Sequence, residues 1–93
     1  MNTQFTRHAR ARLQQRSIPL AVVDLLQDFG RESYCGRGAI RYVFDRGARA
    51  SLRRQFSRDQ LRQIEPWLNV YAVVGDVGQI VTVAYAKRSF RRA

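Results

Sequence analysis

The sequence contains few of the residues that build disulfides, metal centres and membrane spans. Its 93 residues include one cysteine and one histidine. A single cysteine excludes an internal disulfide and a cysteine-based zinc site within one chain. The longest apolar run, residues 70–74, is far shorter than the roughly 20 residues that cross a bilayer, and the first residues lack the apolar run of a signal peptide. We expect one cytoplasmic domain, residues 1–93, with no metal, no cofactor and no membrane contact.

Acidic residues are also scarce, and lysine is nearly absent. Seven Asp and Glu residues stand against 17 basic residues, for a formal net charge of +10, and every basic residue except Lys87 is arginine. The guanidinium group stays charged and can donate two hydrogen bonds to one phosphate. This charge balance indicates a polyanionic partner, of which RNA or another nucleic acid is the first candidate.

Residues 5–18 contain the only histidine and four arginines, with no acidic residue among them. Thr6 is the predicted N-cap of a helix that places His8, Arg12 and Arg16 at i, i+4 and i+8. Because like charges four residues apart repel, this stripe does not stabilise the helix and is better suited to facing an anion. The alternative is that His8 packs locally and the arginines form a solvated face.

The rest of the chain predicts an α+β fold. Pro19 begins a second helix, which Gly30 ends, so that the first two helices form a helical hairpin. Strands are expected at 32–35 and 39–45, around a turn at 36–38. Two short helices follow, the first capped by Asp45 and the second opened by a Ser57–Gln60 capping box and ended near Pro66.

A final hairpin completes the predicted fold. Residues 68–74 and 79–86 are β-branched and aromatic, and 76–78 form the turn between them. Residues 66–86 contain a single charge, that of Asp76, so we expect both strands at the centre of the sheet. The short connections predict an antiparallel sheet of about four strands with the helices on one face.

The sequence lacks the standard catalytic motifs, but its residue types suit the handling of phosphate. RNA cleavage requires a base for the 2′-hydroxyl proton, cations around the phosphate and an acid for the leaving 5′ oxygen. Histidine titrates near neutrality, so His8 is the candidate base, with Arg12 and Arg16 as the phosphate clamp. Tyr85 and Lys87, two residues apart near the end of the last strand, complete the candidate catalytic set; the alternative for Tyr85 is a core or rim position.

Further arginines are candidates for binding phosphates without sequence preference. They lie in the first helix, in the third helix and in the basic tail: Arg7, Arg53, Arg54, Arg88, Arg91 and Arg92.

The opening segment, Thr-Arg-His-Ala-Arg-Ala-Arg-Leu-Gln-Gln-Arg-Ser-Ile-Pro, resembles the start of an uncharacterised small bacterial family. Members of that family begin with a His-Ala-x-x-Arg helix and a second helix after an x-Arg-Gly-Ile-like joint, and end in a hairpin of the Ile-Val-Thr-Val type. Ser17 stands where that family usually has glycine.

More distantly, the last hairpin and the basic residues after it are similar to the end of RelE/BrnT-like toxins. Tyr85, Lys87 and Arg88 stand where those toxins place aromatic and basic residues. The resemblance implies a RelE-like fold in broad terms and a metal-independent ribonuclease without a cofactor. It also implies silencing by an acidic antitoxin-like protein.

Three functions therefore remain open from the sequence. The first is a toxin-like ribonuclease, and the second is a nucleic-acid-binding module without catalysis. The third is an interaction protein whose basic face meets an acidic partner.

Overall fold

The computed structural model describes residues 5–86, which fold into four α-helices, a short 3-10 helix and four strands. This part of the chain has the predicted α+β class and the predicted order of elements. The elements are α1 (Arg7–Gln15), α2 (Leu20–Phe29), β1 (Arg31–Tyr34), β2 (Ile40–Val43), α3 (Arg46–Gln55), α4 (Arg58–Ile64), the 3-10 helix (Glu65–Trp67), β3 (Val70–Val74) and β4 (Ile80–Tyr85).

The four strands form one antiparallel sheet in the order β1-β2-β3-β4. Ala72 of β3 lies opposite Tyr42 on one side and Val83 on the other, so these three side chains share a face. That face packs in one apolar cluster with residues of α1, α2 and α3. Val43, which lies on the opposite face, is buried but is not part of the cluster. The helices of residues 5–86 that supply the core therefore cover one face of the sheet, as predicted.

The position of β4 differs from the prediction, because β3 is central and β4 lies at the edge of the sheet. Phe5 forms a parallel bridge with Ile80, and the Thr6 amide donates to the Ile80 carbonyl oxygen at 2.9 Å. Helix α1 then runs along β4. The apolar composition of β4 thus reflects burial beneath α1, and the segment before α1 covers the start of the open edge.

The predicted helix caps are confirmed. The side chains of Thr6, Asp45 and Ser57 each accept a hydrogen bond from a backbone amide of the first turn, and Gln60 completes the capping box. Helix α2 ends at Gly30, as predicted, although Gly30 has an extended backbone rather than the left-handed conformation common at helix ends. Glycine is required there because a Cβ would collide with the Leu26 carbonyl.

Candidate nucleic-acid interface

Helix α1 is fixed to the sheet by its small and apolar side chains. Ala9 is fully buried and Leu13 is 8% exposed. The Ala9 amide donates to the Thr6 hydroxyl oxygen at 3.1 Å, which fixes the start of the helix. With this stripe facing the core, the basic side chains of α1 and of its C-cap residue Arg16 lie on the flanks and the outer side of the helix.

We call these basic residues the α1 surface: Arg7, His8, Arg10, Arg12 and Arg16. Arg7, His8 and Arg10 are exposed, whereas Arg12 and Arg16 are half-buried because they lie closer to the core-facing stripe. Residues 5–18 contain no acidic residue, so no carboxylate within the helix offsets these charges. The exposed part of the α1 surface is therefore cationic and includes an accessible imidazole.

Tyr85 meets the far end of this surface. Its hydroxyl donates to the Arg16 carbonyl oxygen at 3.2 Å, and its side chain is 36% exposed. At a rise of about 1.5 Å per residue, Arg16 lies about 12 Å along the helix axis from His8. The structure thus brings Tyr85 to Arg16, but places both a considerable distance from His8. Lys87, the remaining candidate catalytic residue, lies outside the described residues.

Two further candidate phosphate-binding residues lie on α3 rather than on α1. Arg53 and Arg54 are exposed in the last turn of α3, where the Arg54 guanidinium donates to the Ser51 hydroxyl at 3.1 Å. A positive charge in the last turn of a helix interacts favourably with the negative end of the helix dipole. Arg53 and Arg54 therefore also have a structural role in α3. Arg88, Arg91 and Arg92 lie outside the described residues.

Arg49 has a structural role that the sequence did not reveal. Its guanidinium donates to the Phe44 carbonyl at 2.9 Å, to the Leu68 carbonyl at 3.0 Å and to the Asn69 side-chain oxygen at 3.1 Å. These bonds tie the first half of α3 to the residues before β3. Nothing in the local sequence separates Arg49 from its neighbouring arginines, because two of its three acceptors lie 19 and 20 residues away.

Arg31 is also engaged within the protein. Its guanidinium forms an ion pair with the Asp45 carboxylate at 3.3 Å, and Asp45 also caps α3. Arg31 and Arg49 therefore contribute net charge to the protein but belong to its scaffold rather than to the α1 surface.

The described part of the chain has neither a cluster of metal ligands nor a membrane-spanning helix. Between residues 5 and 86, no group of three or more His, Cys, Asp or Glu side chains is placed to hold a metal ion. Within the same range, no helix combines the length and the apolarity needed to cross a membrane.

Scans against protein-family models, curated proteins and solved structures found no match. The case for a function therefore depends on the α1 surface.

Proposed function

We propose that this protein binds RNA and that the α1 surface contacts the phosphates. The observation that carries the proposal is a helix anchored by Ala9 and Leu13 whose remaining surface holds exposed arginines and an exposed histidine, with no carboxylate among them. The net charge of +10 attracts a polyanion over a longer range. Arginine is suited to the contact itself, since its guanidinium forks onto phosphate oxygens.

Salt dependence tests this proposal, because each neutralised phosphate releases condensed counterions. For a single-stranded RNA, the logarithm of the binding constant falls against the logarithm of salt concentration with a slope of about −0.7 per contact. Four arginine contacts predict a slope of about −3. The measurement is fluorescence anisotropy of a labelled RNA oligonucleotide over a range of salt concentrations.

A pair of matched double variants locates the contact. Arg7→Gln with Arg12→Gln removes two charges from the α1 surface, and we expect the slope to become shallower by about 1.4. Arg58→Gln with Arg62→Gln removes two exposed charges from α4, and we expect a smaller change. Equal changes in both double variants would show general attraction to a basic protein and would exclude α1 as the binding surface.

Cleavage of the bound RNA is a second candidate function, favoured by the exposure of His8 one helical turn from Arg12. In this proposal His8 takes the proton of a 2′-hydroxyl, the 2′ oxygen attacks phosphorus, and the bond from phosphorus to the 5′ oxygen breaks. The products are a 2′,3′-cyclic phosphate and a 5′-hydroxyl, which is protonated as it leaves. Arg12 stabilises the charge that develops on the phosphate.

This second candidate would place the protein with RelE/BrnT-like toxins, with Lys87 as the candidate acid. Tyr85 fits a positioning role better, because its hydroxyl holds the backbone at Arg16. The test is incubation of labelled RNA with the protein in the presence of a chelator. We expect cleavage by the native protein and none by His8→Ala, with both proteins binding RNA. Equal cleavage by the two would remove His8 from the mechanism.

A further inference from the structure

Helix α1 borders a groove on the flank opposite His8 and Arg12. The groove lies between α1 and the start of α2 and has a volume of about 610 Å³, within the range of pockets that hold small molecules. Leu13 and Ile18 are 8% and 5% exposed and form its floor, whereas Leu20 is 59% exposed at its edge. Within residues 5–86, the groove is lined by Phe5, Arg10, Leu13, Gln14, Ile18 and Leu20. Its surface is therefore mainly apolar.

Arg10 belongs both to this groove and to the α1 surface. It is exposed, and the exposed Gln14 stands one helical turn further along α1 on the same side. Among the described residues that line the groove, none is acidic, so no carboxylate of this lining repels a phosphate bound to Arg10. The apolar groove thus adjoins the cations that we assign to the RNA backbone.

From this arrangement we propose that the groove receives an unpaired base of the bound RNA, so that the RNA is single-stranded at the contact. The base packs against Leu20 and the aliphatic floor, and a neighbouring phosphate binds to Arg10. The side-chain amide of Gln14 supplies a donor and an acceptor for the edge of the base. Proteins that bind single-stranded RNA hold splayed bases in this way, because the bases of an A-form duplex are stacked and largely inaccessible. The inference rests on the proposed RNA binding and adds to it the class of RNA.

Two other occupants fit this groove less well. A two-fold interface brings the same surface of each subunit together, so a second copy of the chain would place two Arg10 guanidinium groups close together. The net charge of +10 on each copy adds to that repulsion. An uncharged apolar peptide would offer Arg10 no anion, whereas RNA carries a phosphate beside each base.

The first experiment compares two labelled strands of equal length and equal charge. One is a short single-stranded RNA, and the other is a ribose-phosphate strand in which no nucleotide carries a base. Fluorescence anisotropy at one salt concentration measures the affinity of the full chain for each. We expect the strand without bases to bind about tenfold more weakly, because it keeps the phosphate contacts but loses the packing of a base.

A variant of Leu20 locates the base. Leu20→Ser removes the accessible aliphatic side chain of the groove, so we expect it to weaken RNA binding about fivefold and to leave the affinity for the strand without bases unchanged. The matched control is Tyr34→Ser, which removes a side chain 74% exposed on β1, at the opposite edge of the sheet from β4. It should change neither affinity. Both positions are exposed, so both variants are expected to fold.

NMR of the methyl-labelled full chain with bound RNA provides the second measurement. We expect nuclear Overhauser effects between base protons and the methyl groups of Leu13, Ile18 and Leu20. The base site is overturned, and RNA binding is retained, if both strands bind equally, if Leu20→Ser affects both strands alike, or if the base protons contact another surface. Absence of binding by both strands at low salt overturns RNA binding itself and this inference with it. Shifts of these methyl groups that depend on protein concentration without RNA would overturn the inference and assign the groove to a second copy.

Discussion

Ser17, the residue between α1 and α2, has a backbone conformation that serine rarely adopts. Its φ angle is 52°, in the left-handed region, where a side chain beyond glycine costs roughly 1 kcal/mol. Its side chain is exposed, so replacing it removes no buried contact. The short joint of the helical hairpin therefore carries local strain.

We expect Ser17→Gly to stabilise the protein by up to about 1 kcal/mol, because relief of this strain exceeds the added freedom of the unfolded chain. Ser17→Ala keeps a Cβ and serves as the control, with no gain expected. Urea unfolding of the three proteins provides the measurement. If Ser17→Gly and Ser17→Ala have the same urea midpoint of unfolding, the positive φ angle of Ser17 is not a source of strain.

Arg49 is the residue whose loss should affect stability most among the arginines of α3. Its three hydrogen bonds reach two backbone carbonyls and one amide oxygen. We expect Arg49→Ala to cost about 1–3 kcal/mol, because these acceptors lose a charged donor. Arg53→Ala, at an exposed position of the same helix, should change the unfolding free energy by less than about 0.5 kcal/mol. Similar losses in both variants would contradict the structural role of Arg49.

Tyr42 should make the stability depend on pH in the alkaline range. Burial raises its pKa above 10.0, and the charge of Glu32 and a hydrogen bond to it add to the effect. The unfolded chain therefore loses this phenol proton at a lower pH than the folded protein does. The contribution of the protonated Tyr42 phenol to the free energy of unfolding is fully present below about pH 10. It is lost as the pH rises through the raised pKa of Tyr42 in the folded protein.

The corresponding variant is Tyr42→Phe. We expect a smaller loss of stability between about pH 9 and about pH 11 than in the native protein, measured by urea unfolding at each pH. Tyr34→Phe, at a position 74% exposed, should retain the native pH dependence. If Tyr42→Phe loses as much stability at alkaline pH as the native protein does, groups other than Tyr42 cause the pH dependence.

At the scale of secondary-structure elements, local signals were sufficient for the helices and the hairpins. Caps at Thr6, Asp45 and Ser57 act within three residues, so their hydrogen bonds are encoded beside the helices they begin. The place of β4 in the sheet is not encoded locally. Its lack of charge fits a central strand as well as an edge strand beneath α1, and only the order of the strands in the folded sheet distinguishes the two.

The joint between α1 and α2 depends on contacts that are distant in sequence. The Trp67 indole donates to the Ser17 carbonyl at 3.2 Å, and the Tyr85 hydroxyl donates to the Arg16 carbonyl. These bonds span 50 and 69 residues, so no local pattern predicts them. They connect the helical hairpin to both ends of the segment that contains β3 and β4.

We expect Trp67→Phe and Tyr85→Phe each to lower the unfolding free energy by about 0.5–1.5 kcal/mol, because each removes one hydrogen bond and keeps most of the packing. Thermal unfolding followed by circular dichroism provides the comparison. Val77→Ala, at a turn position 80% exposed, is the control. An unchanged melting temperature in both aromatic variants would show that the bonds do not hold the joint.

At the scale of the whole molecule, positive charge is distributed over several elements. Residues 5–86 contain 13 arginines against seven acidic residues. The sequence predicted an RNA-directed surface from this excess and from the spacing of His8, Arg12 and Arg16. It did not separate scaffold arginines such as Arg31 and Arg49 from exposed ones. That distinction depends on tertiary contacts. Among the described helices, α1 is the one that combines exposed arginines with an exposed histidine and has no carboxylate.

The most direct test of RNA binding through α1 is NMR titration of the labelled protein with a short single-stranded RNA. We predict that the largest amide shifts fall within α1, at residues 7–16, and that they diminish as salt concentration rises. Shifts confined to α3 and α4, or no saturable shifts at low salt, would contradict the assignment of the α1 surface to RNA.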